Sequence, residues 1–117
     1  MQFQVGVIGA TGYIGQPYRR EIRECPDRAK IVALCARRRE LLEAAQVEDG
    51  ASMITDDWRE VVNHPSVNLV VVATPDAFHC EQVLACAAAG KHIVCEKPVA
   101  MNTAEAERMW SAVRDAG

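Results

Sequence analysis

Residues 67–74, VNLVVVAT, form an almost unbroken apolar run dominated by valine. A strand of this composition has no face to offer water, so it must lie inside a sheet that is covered on both sides. Three other segments share the character: QFQVGVIG at residues 2–9, KIVALCA at residues 30–36, and the stretch KHIVCEKP that ends at Pro98. Longer segments with apolar residues at helical spacing separate them. Such alternation is the pattern of a parallel sheet flanked by helices.

After the first strand, Tyr13, Ile14, Pro17, Tyr18 and Ile22 recur at helical spacing, and Cys25-Pro26 marks the stop. Residues 37–43 are charged but carry Leu41 and Leu42, with Ala44 and Ala45 beyond, which predicts a helix with a solvated face. Asp49-Gly50 reads as a turn, residues 52–55 as a short third strand, and Asp56 or Asp57 as the cap of a brief helix through Trp58, Val61 and Val62. Thr74-Pro75 ends the fourth strand. Residues 77–89 then make an alanine-rich helix stopped by Gly90, and Thr103–Ala116 a last helix with Gly117 beyond it. Five strands alternating with five helices through right-handed crossovers specify an α/β, doubly wound parallel sheet of order 3-2-1-4-5, a Rossmann arrangement that occupies residues 1–117 as one domain.

Composition narrows the partners. Thirteen basic residues against sixteen acidic ones leave a formal charge of -3 and a pI near 5.6, which gives no electrostatic reason to expect nucleic acid or a membrane surface. No segment approaches the roughly 20 apolar residues that a bilayer requires. The five cysteines form no CxxC pair and fall mostly in apolar runs, where a thiol behaves as a small hydrophobe, so a reducing cytoplasm is the expected location. His64, His79 and His92 stand apart from other candidate ligands, and no metal site is expected.

The first strand runs into Gly9, Gly12 and Gly15 at three-residue spacing, and a helix follows. This puts unpaired backbone N–H groups and the positive end of a helix dipole at one point, where an anion is favoured. Gly9 would allow the tight turn, Gly12 the approach of a pyrophosphate, and Gly15 close packing of helix on strand. Thr11, Tyr13 and Ile14 belong to the same cofactor-binding turn. No Gly-Lys-Ser/Thr follows, which excludes a Walker-type loop. At the end of the second strand an NAD site usually places a carboxylate for the ribose hydroxyls, yet this chain has Arg37, Arg38 and Arg39 there. A 2'-phosphate suits guanidinium groups, so NADP is the preferred cofactor over NAD, with Arg37 and Arg38 as its ligands.

The second half carries a more specific signal. Thr74-Pro75 with His79, the AGKH turn at residues 89–92, Glu96-Lys97-Pro98 at a strand end and Glu105-Ala106 in the helix after it form an ordered set. Residues 74–109 thereby resemble the N-terminal domain of the glucose-fructose oxidoreductase, inositol dehydrogenase and MocA family of NAD(P)-dependent oxidoreductases. The resemblance implies that Thr74 and Pro75 lie beside the nicotinamide ribose, and that Glu96 and Lys97 face the nicotinamide end of the cleft. Lys97 would touch the substrate or the cofactor ribose and be the catalytic residue, its amine hydrogen-bonding a substrate hydroxyl and assisting its deprotonation. His79 would lie on the cofactor side in a structural role, packing on the loop around Thr74.

Members of that family continue into a mixed α/β substrate domain. Since the sequence ends at Gly117, the resemblance implies a truncated chain: the dinucleotide-binding half of an oxidoreductase for a sugar, polyol or related carbinol, improbable as an enzyme on its own. A small-molecule substrate would be bound only with the missing domain. The uncovered sheet edge invites self-association. A different reading is a non-catalytic NADP-binding sensor or regulatory module, and a third is a fragment whose binding loop is incompletely formed.

Overall fold

In the computed structural model, which describes residues 2–97 and 99–117, the chain runs through β1 (Phe3–Ile8), α1 (Gly15–Arg23), β2 (Ala29–Cys35), α2 (Arg39–Asp49) and β3 (Met53–Thr55). It continues through α3 (Trp58–Val62), β4 (Leu69–Val72), a 3-10 turn at Asp76–Phe78, α4 (His79–Ala88), β5 (His92–Cys95) and α5 (Thr103–Ala116). The strands form one parallel sheet of order β3-β2-β1-β4-β5. Sequence reasoning anticipated both the order and the alternation.

The valine run shows why its composition is apolar throughout. Val70 and Val72 point into one core, with Ile8, Val61, Val62, Val83 and Cys86, while Val71 joins Val5, Val7, Leu34, Leu42 and Ala45 on the opposite face. Both layers exclude water. At about 25 cal/mol per Å2 of buried apolar surface, this two-sided burial is the main force that orders the sheet.

Several boundaries differ from the sequence expectation, each for a local reason. β4 begins at Leu69 because Asn68 makes an edge contact of its own: its Oδ1 accepts from Gln4 N at 2.8 Å, and its N–H donates to Gln4 O at 2.9 Å. The helix expected over residues 77–89 is divided, since Phe78 N–H reaches Pro75 O at 3.0 Å to close a 3-10 turn before α4 begins at His79. β5 is shorter than KHIVCEKP, and Pro98 lies outside the described residues.

The AGKH turn has a structural explanation. Gly90 takes φ +72, its N–H donates to Ala87 O, and the N–H of Lys91 returns to Cys86 O, together closing the end of α4. Lys91 Nζ then donates to the carbonyls of Val67 at 2.6 Å and His64 at 3.1 Å. The lysine thus ties the α4–β5 turn to the α3–β4 loop. α3 is capped by Asp57, whose carboxylate accepts from Arg59 N at 3.0 Å, and α5 by Asn102, which accepts from Glu105 N at 2.9 Å.

Candidate functional site

At the carboxyl ends of the strands, the loops after β1, β2, β3 and β4 surround a cleft of about 550 Å3. Gly9, Thr11 and Gly12 form one wall, Cys35, Ala36, Arg37 and Arg38 the next, and Thr74 and Pro75 the side at β4. This is the switch point of a doubly wound sheet, where strand order reverses between β1 and β4.

The three glycines are used in different ways. Gly9 has φ +84, and a Cβ there would stand 2.6 Å from Ala73 O, so only glycine lets β1 turn beside β4. A Cβ on Gly15 would lie 2.0 Å from Gly9 O, so its absence is what lets α1 start against the turn. Gly12 differs: the nearest protein atom to a Cβ would be Gly9 O at 3.5 Å, an ordinary contact. Protein packing does not require glycine at position 12, and the open space there lies on the cleft wall.

Two side chains brace this turn from behind. Gln16 Nε2 donates to Thr11 O at 3.0 Å, and the buried Arg19 donates through Nη1 to Ala10 O at 3.3 Å. Arg19 also pairs with Asp49 at 2.6 Å and Glu48 at 2.7 Å at the end of α2, and Arg23 joins the same carboxylates. With two carbonyls held in this way, the loop is set before any ligand arrives. Among the described residues, the N–H groups of Thr11, Tyr13 and Ile14 have no backbone partner, and Ile14 supplies no side-chain cap to α1. An anion would meet donors that the protein leaves unused.

Arg37 and Arg38 are exposed on the cleft wall and precede α2, and neither pairs with a carboxylate among the described residues. Cations at a helix N-terminus face the positive end of its dipole. Asp56 and Trp58 close the same side, and Phe78 and Gln82 the β4 side. None of these four was recognised from sequence, since only the fold brings them to the cleft. Cys35 lines the cleft as a protonated thiol: burial, with lesser contributions from Asp57, Asp56 and Glu60, pushes its pKa up to about 12.

Thr74 is fixed by α4 at two points. Its hydroxyl donates to Gln82 Oε1 at 2.6 Å, and its carbonyl lies 2.7 Å from His79 Nε2. His79 is only 1% exposed, which places it behind the cleft wall against the loop around Thr74. The Thr74 oxygen, its proton directed at Gln82, can act toward the cleft only as an acceptor.

The remaining sequence candidates lie apart from the cleft lining. Tyr13 is 93% exposed and Ile14 is also exposed, both projecting from the glycine turn. At the end of β5, Glu96 N–H donates to Val72 O at 3.1 Å, and Tyr18 OH donates to Glu96 Oε2 at 2.7 Å. This hydrogen bond, with burial and the charge of Glu96, pushes the Tyr18 phenol up to about 12. Lys97 follows, exposed to solvent. Among the described residues no cluster of three His, Cys, Asp or Glu side chains could hold a metal ion, and no helix is long and apolar enough to cross a membrane.

Comparison with known proteins matches residues 3–117 to the oxidoreductase family with an NAD-binding Rossmann fold, GFO/IDH/MocA. The chain belongs to this family. It is 38% identical to 1,5-anhydro-D-fructose reductase from Ensifer adhaerens over 99% of its own length and 30% of that protein. It is 39% identical to inositol 2-dehydrogenase from Gluconacetobacter diazotrophicus, over 96% of this chain and 33% of that one. Among solved structures, the WlbA dehydrogenase from Bordetella pertussis, in complex with NADH and UDP-GlcNAcA, superposes with a TM-score of 0.90 at 31% identity, covering 99% of this chain and 34% of that one. The chain thus spans about a third of the length of these relatives. As a GFO/IDH/MocA Rossmann domain, it carries at its switch point the features that a nicotinamide dinucleotide needs: an open Gly12, unused loop donors and a cleft shared between β1 and β4.

Proposed function

We propose that this chain is the dinucleotide-binding half of an oxidoreductase that moves hydride between a nicotinamide cofactor and a carbinol or carbonyl carbon of a sugar, polyol or related compound, with NADP preferred over NAD. The observation that carries the cofactor site is the contrast among the glycines: Gly9 and Gly15 are enforced by protein atoms, whereas a Cβ on Gly12 would meet only an ordinary contact with Gly9 O, on the cleft wall. That open geometry supports a ligand that approaches the backbone there. The NADP preference rests on Arg37 and Arg38, two guanidinium groups on the adenosine wall without a carboxylate partner among the described residues, whose conflict with the α2 dipole a 2'-phosphate would relieve.

When bound, the cofactor supplies or accepts hydride at its nicotinamide ring. The chain's own residues do the holding. The Thr11–Ile14 turn binds the pyrophosphate, Thr74 accepts from a ribose hydroxyl, and Pro75 shapes the wall beside it. Lys97 Nζ, at the end of β5, hydrogen-bonds the reacting hydroxyl of a substrate and assists movement of its proton. The open side of β5, where Val94 and Trp110 are exposed, is where we propose that two copies of the chain meet. A monomeric mass by sedimentation at high concentration would count against that contact.

Calorimetric titration of the chain with NADP and NAD at low salt tests the cofactor reading. The expected result is tighter binding of NADP, reduced about tenfold by Arg37→Ala or Arg38→Ala with NAD little affected, as loss of a charge-assisted hydrogen bond implies. Equal binding of the two cofactors, unchanged in both variants, would remove the arginines from the site.

A further inference from the structure

We infer that Tyr18 is a positioning residue for the nicotinamide end of the site: its hydroxyl, carried on the helix that begins at the glycine turn, holds the Glu96 carboxylate and so fixes the main chain from which Lys97 projects. The inference rests on the reading of the cleft given above. α1 packs on β1 and β2, whereas Glu96 directly follows β5, two strands beyond β1 in the sheet. The Tyr18–Glu96 hydrogen bond, 2.7 Å long and partly buried, spans that distance and joins residues 78 positions apart.

The geometry gives the bond a particular consequence. Glu96 is the last residue of its segment held by the sheet, through its N–H to Val72 O. Its side chain is then held by Tyr18, so residue 96 is fixed at both main chain and side chain. Lys97, exposed and without a side-chain partner among the described residues, takes its direction from that anchor. The same phenol sits one helical turn beyond Gly15, whose packing against Gly9 O sets where α1 begins. One hydrogen bond therefore links the wall that holds phosphate to the strand end assigned to the nicotinamide. The elevated phenol pKa agrees with a hydroxyl committed to a carboxylate.

The test compares Tyr18→Phe with the wild-type chain in two titrations, one with NADPH followed by nicotinamide fluorescence and one with adenosine 2',5'-bisphosphate, which lacks the nicotinamide half. The expected result is that Tyr18→Phe binds the bisphosphate as the wild type does but loses about tenfold in NADPH affinity, the size of one hydrogen bond to a charged group, with altered nicotinamide emission. Glu96→Gln, which keeps an acceptor for the phenol, should retain most of the NADPH affinity, whereas Glu96→Ala should behave as Tyr18→Phe does. Equal NADPH affinity and emission in wild type and Tyr18→Phe would overturn the inference, as would a parallel loss for both ligands, which marks general damage to the domain. If the wild type binds neither ligand, the cleft reading itself fails, and the inference with it.

Discussion

Arg19 donates to Asp49 at 2.6 Å in a pair whose side chains are 6% and 0% exposed, so the middle of α1 and the end of α2 are joined by a buried ion pair beside the glycine turn. The Ala10 carbonyl is a third member of the group. Because removal of one partner leaves the other as a buried, uncompensated charge, Asp49→Ala should lower stability by about 3 to 5 kcal/mol in urea unfolding. Glu48→Ala, at a carboxylate that is 58% exposed, should cost no more than about 1 kcal/mol. Similar losses in the two variants would show that the pair is not the brace described.

Glycine replacements separate folding from binding. Gly15→Ala forces a methyl onto Gly9 O and should destabilise the domain by more than about 3 kcal/mol. Gly12→Ala should melt near the wild-type temperature yet bind NADP at least tenfold more weakly, because its methyl enters space that the protein itself does not use. A Gly12→Ala chain with undiminished affinity would remove the pyrophosphate from this loop.

Lys97 tests the division of labour between cofactor and substrate. Lys97→Ala should leave NADP affinity within about twofold of the wild type, since it removes only an exposed amine outside the cleft lining and keeps the main chain that Tyr18 and Glu96 anchor. In a full-length oxidoreductase carrying this domain the same change should abolish turnover. Retained turnover would remove Lys97 from the chemistry.

Alkaline pH offers a check on the buried acids. Burial pushes Cys35 and Cys86 from 9.0 to about 12 and Cys95 to about 11, while the bond to Glu96 takes Tyr18 from 10.0 to about 12. In each case the folded state keeps a proton that the unfolded chain has already released. The stabilisation is therefore fully present below about pH 9 and is lost as pH rises through 9 to 12. The urea midpoint should fall steadily above pH 9; a constant midpoint through that range would contradict it. Near pH 8, a thiol reagent should label the exposed Cys25 quickly, and all five cysteines only in denaturant.

The parts of the fold that could be read from sequence were those set by local rules. Valine repetition marked β4, Gly90 ended α4, and the helical run before Gly117 marked α5. The glycine turn and the arginines on the cleft could be found because strand, turn and helix follow each other directly in the chain. Contacts between distant segments left no such signature. Nothing in the helical spacing of Tyr18 discloses an acceptor 78 residues away, and Arg19 reads as one of several basic residues on a solvated helix until Asp49 is seen beside it. Lys91 likewise carried the look of a family motif, yet its hydrogen bonds to His64 and Val67 carbonyls are those of a loop tie.

Most charges of α2 run against its dipole: Arg37, Arg38 and Arg39 stand before and at its first turn and outnumber Glu40 there, and Glu48 and Asp49 close its last, where no basic residue lies on the helix itself. An excised α2 peptide would accordingly be a poor helix, disfavoured at both ends. Its order is lent by a neighbour, because Arg19 and Arg23 of α1 supply the missing cations at the acidic end. The expected order of assembly follows from this dependence. The β1–α1–β2 unit must consolidate before α2 can settle, so Asp49→Ala should accelerate unfolding while leaving the refolding rate nearly unchanged.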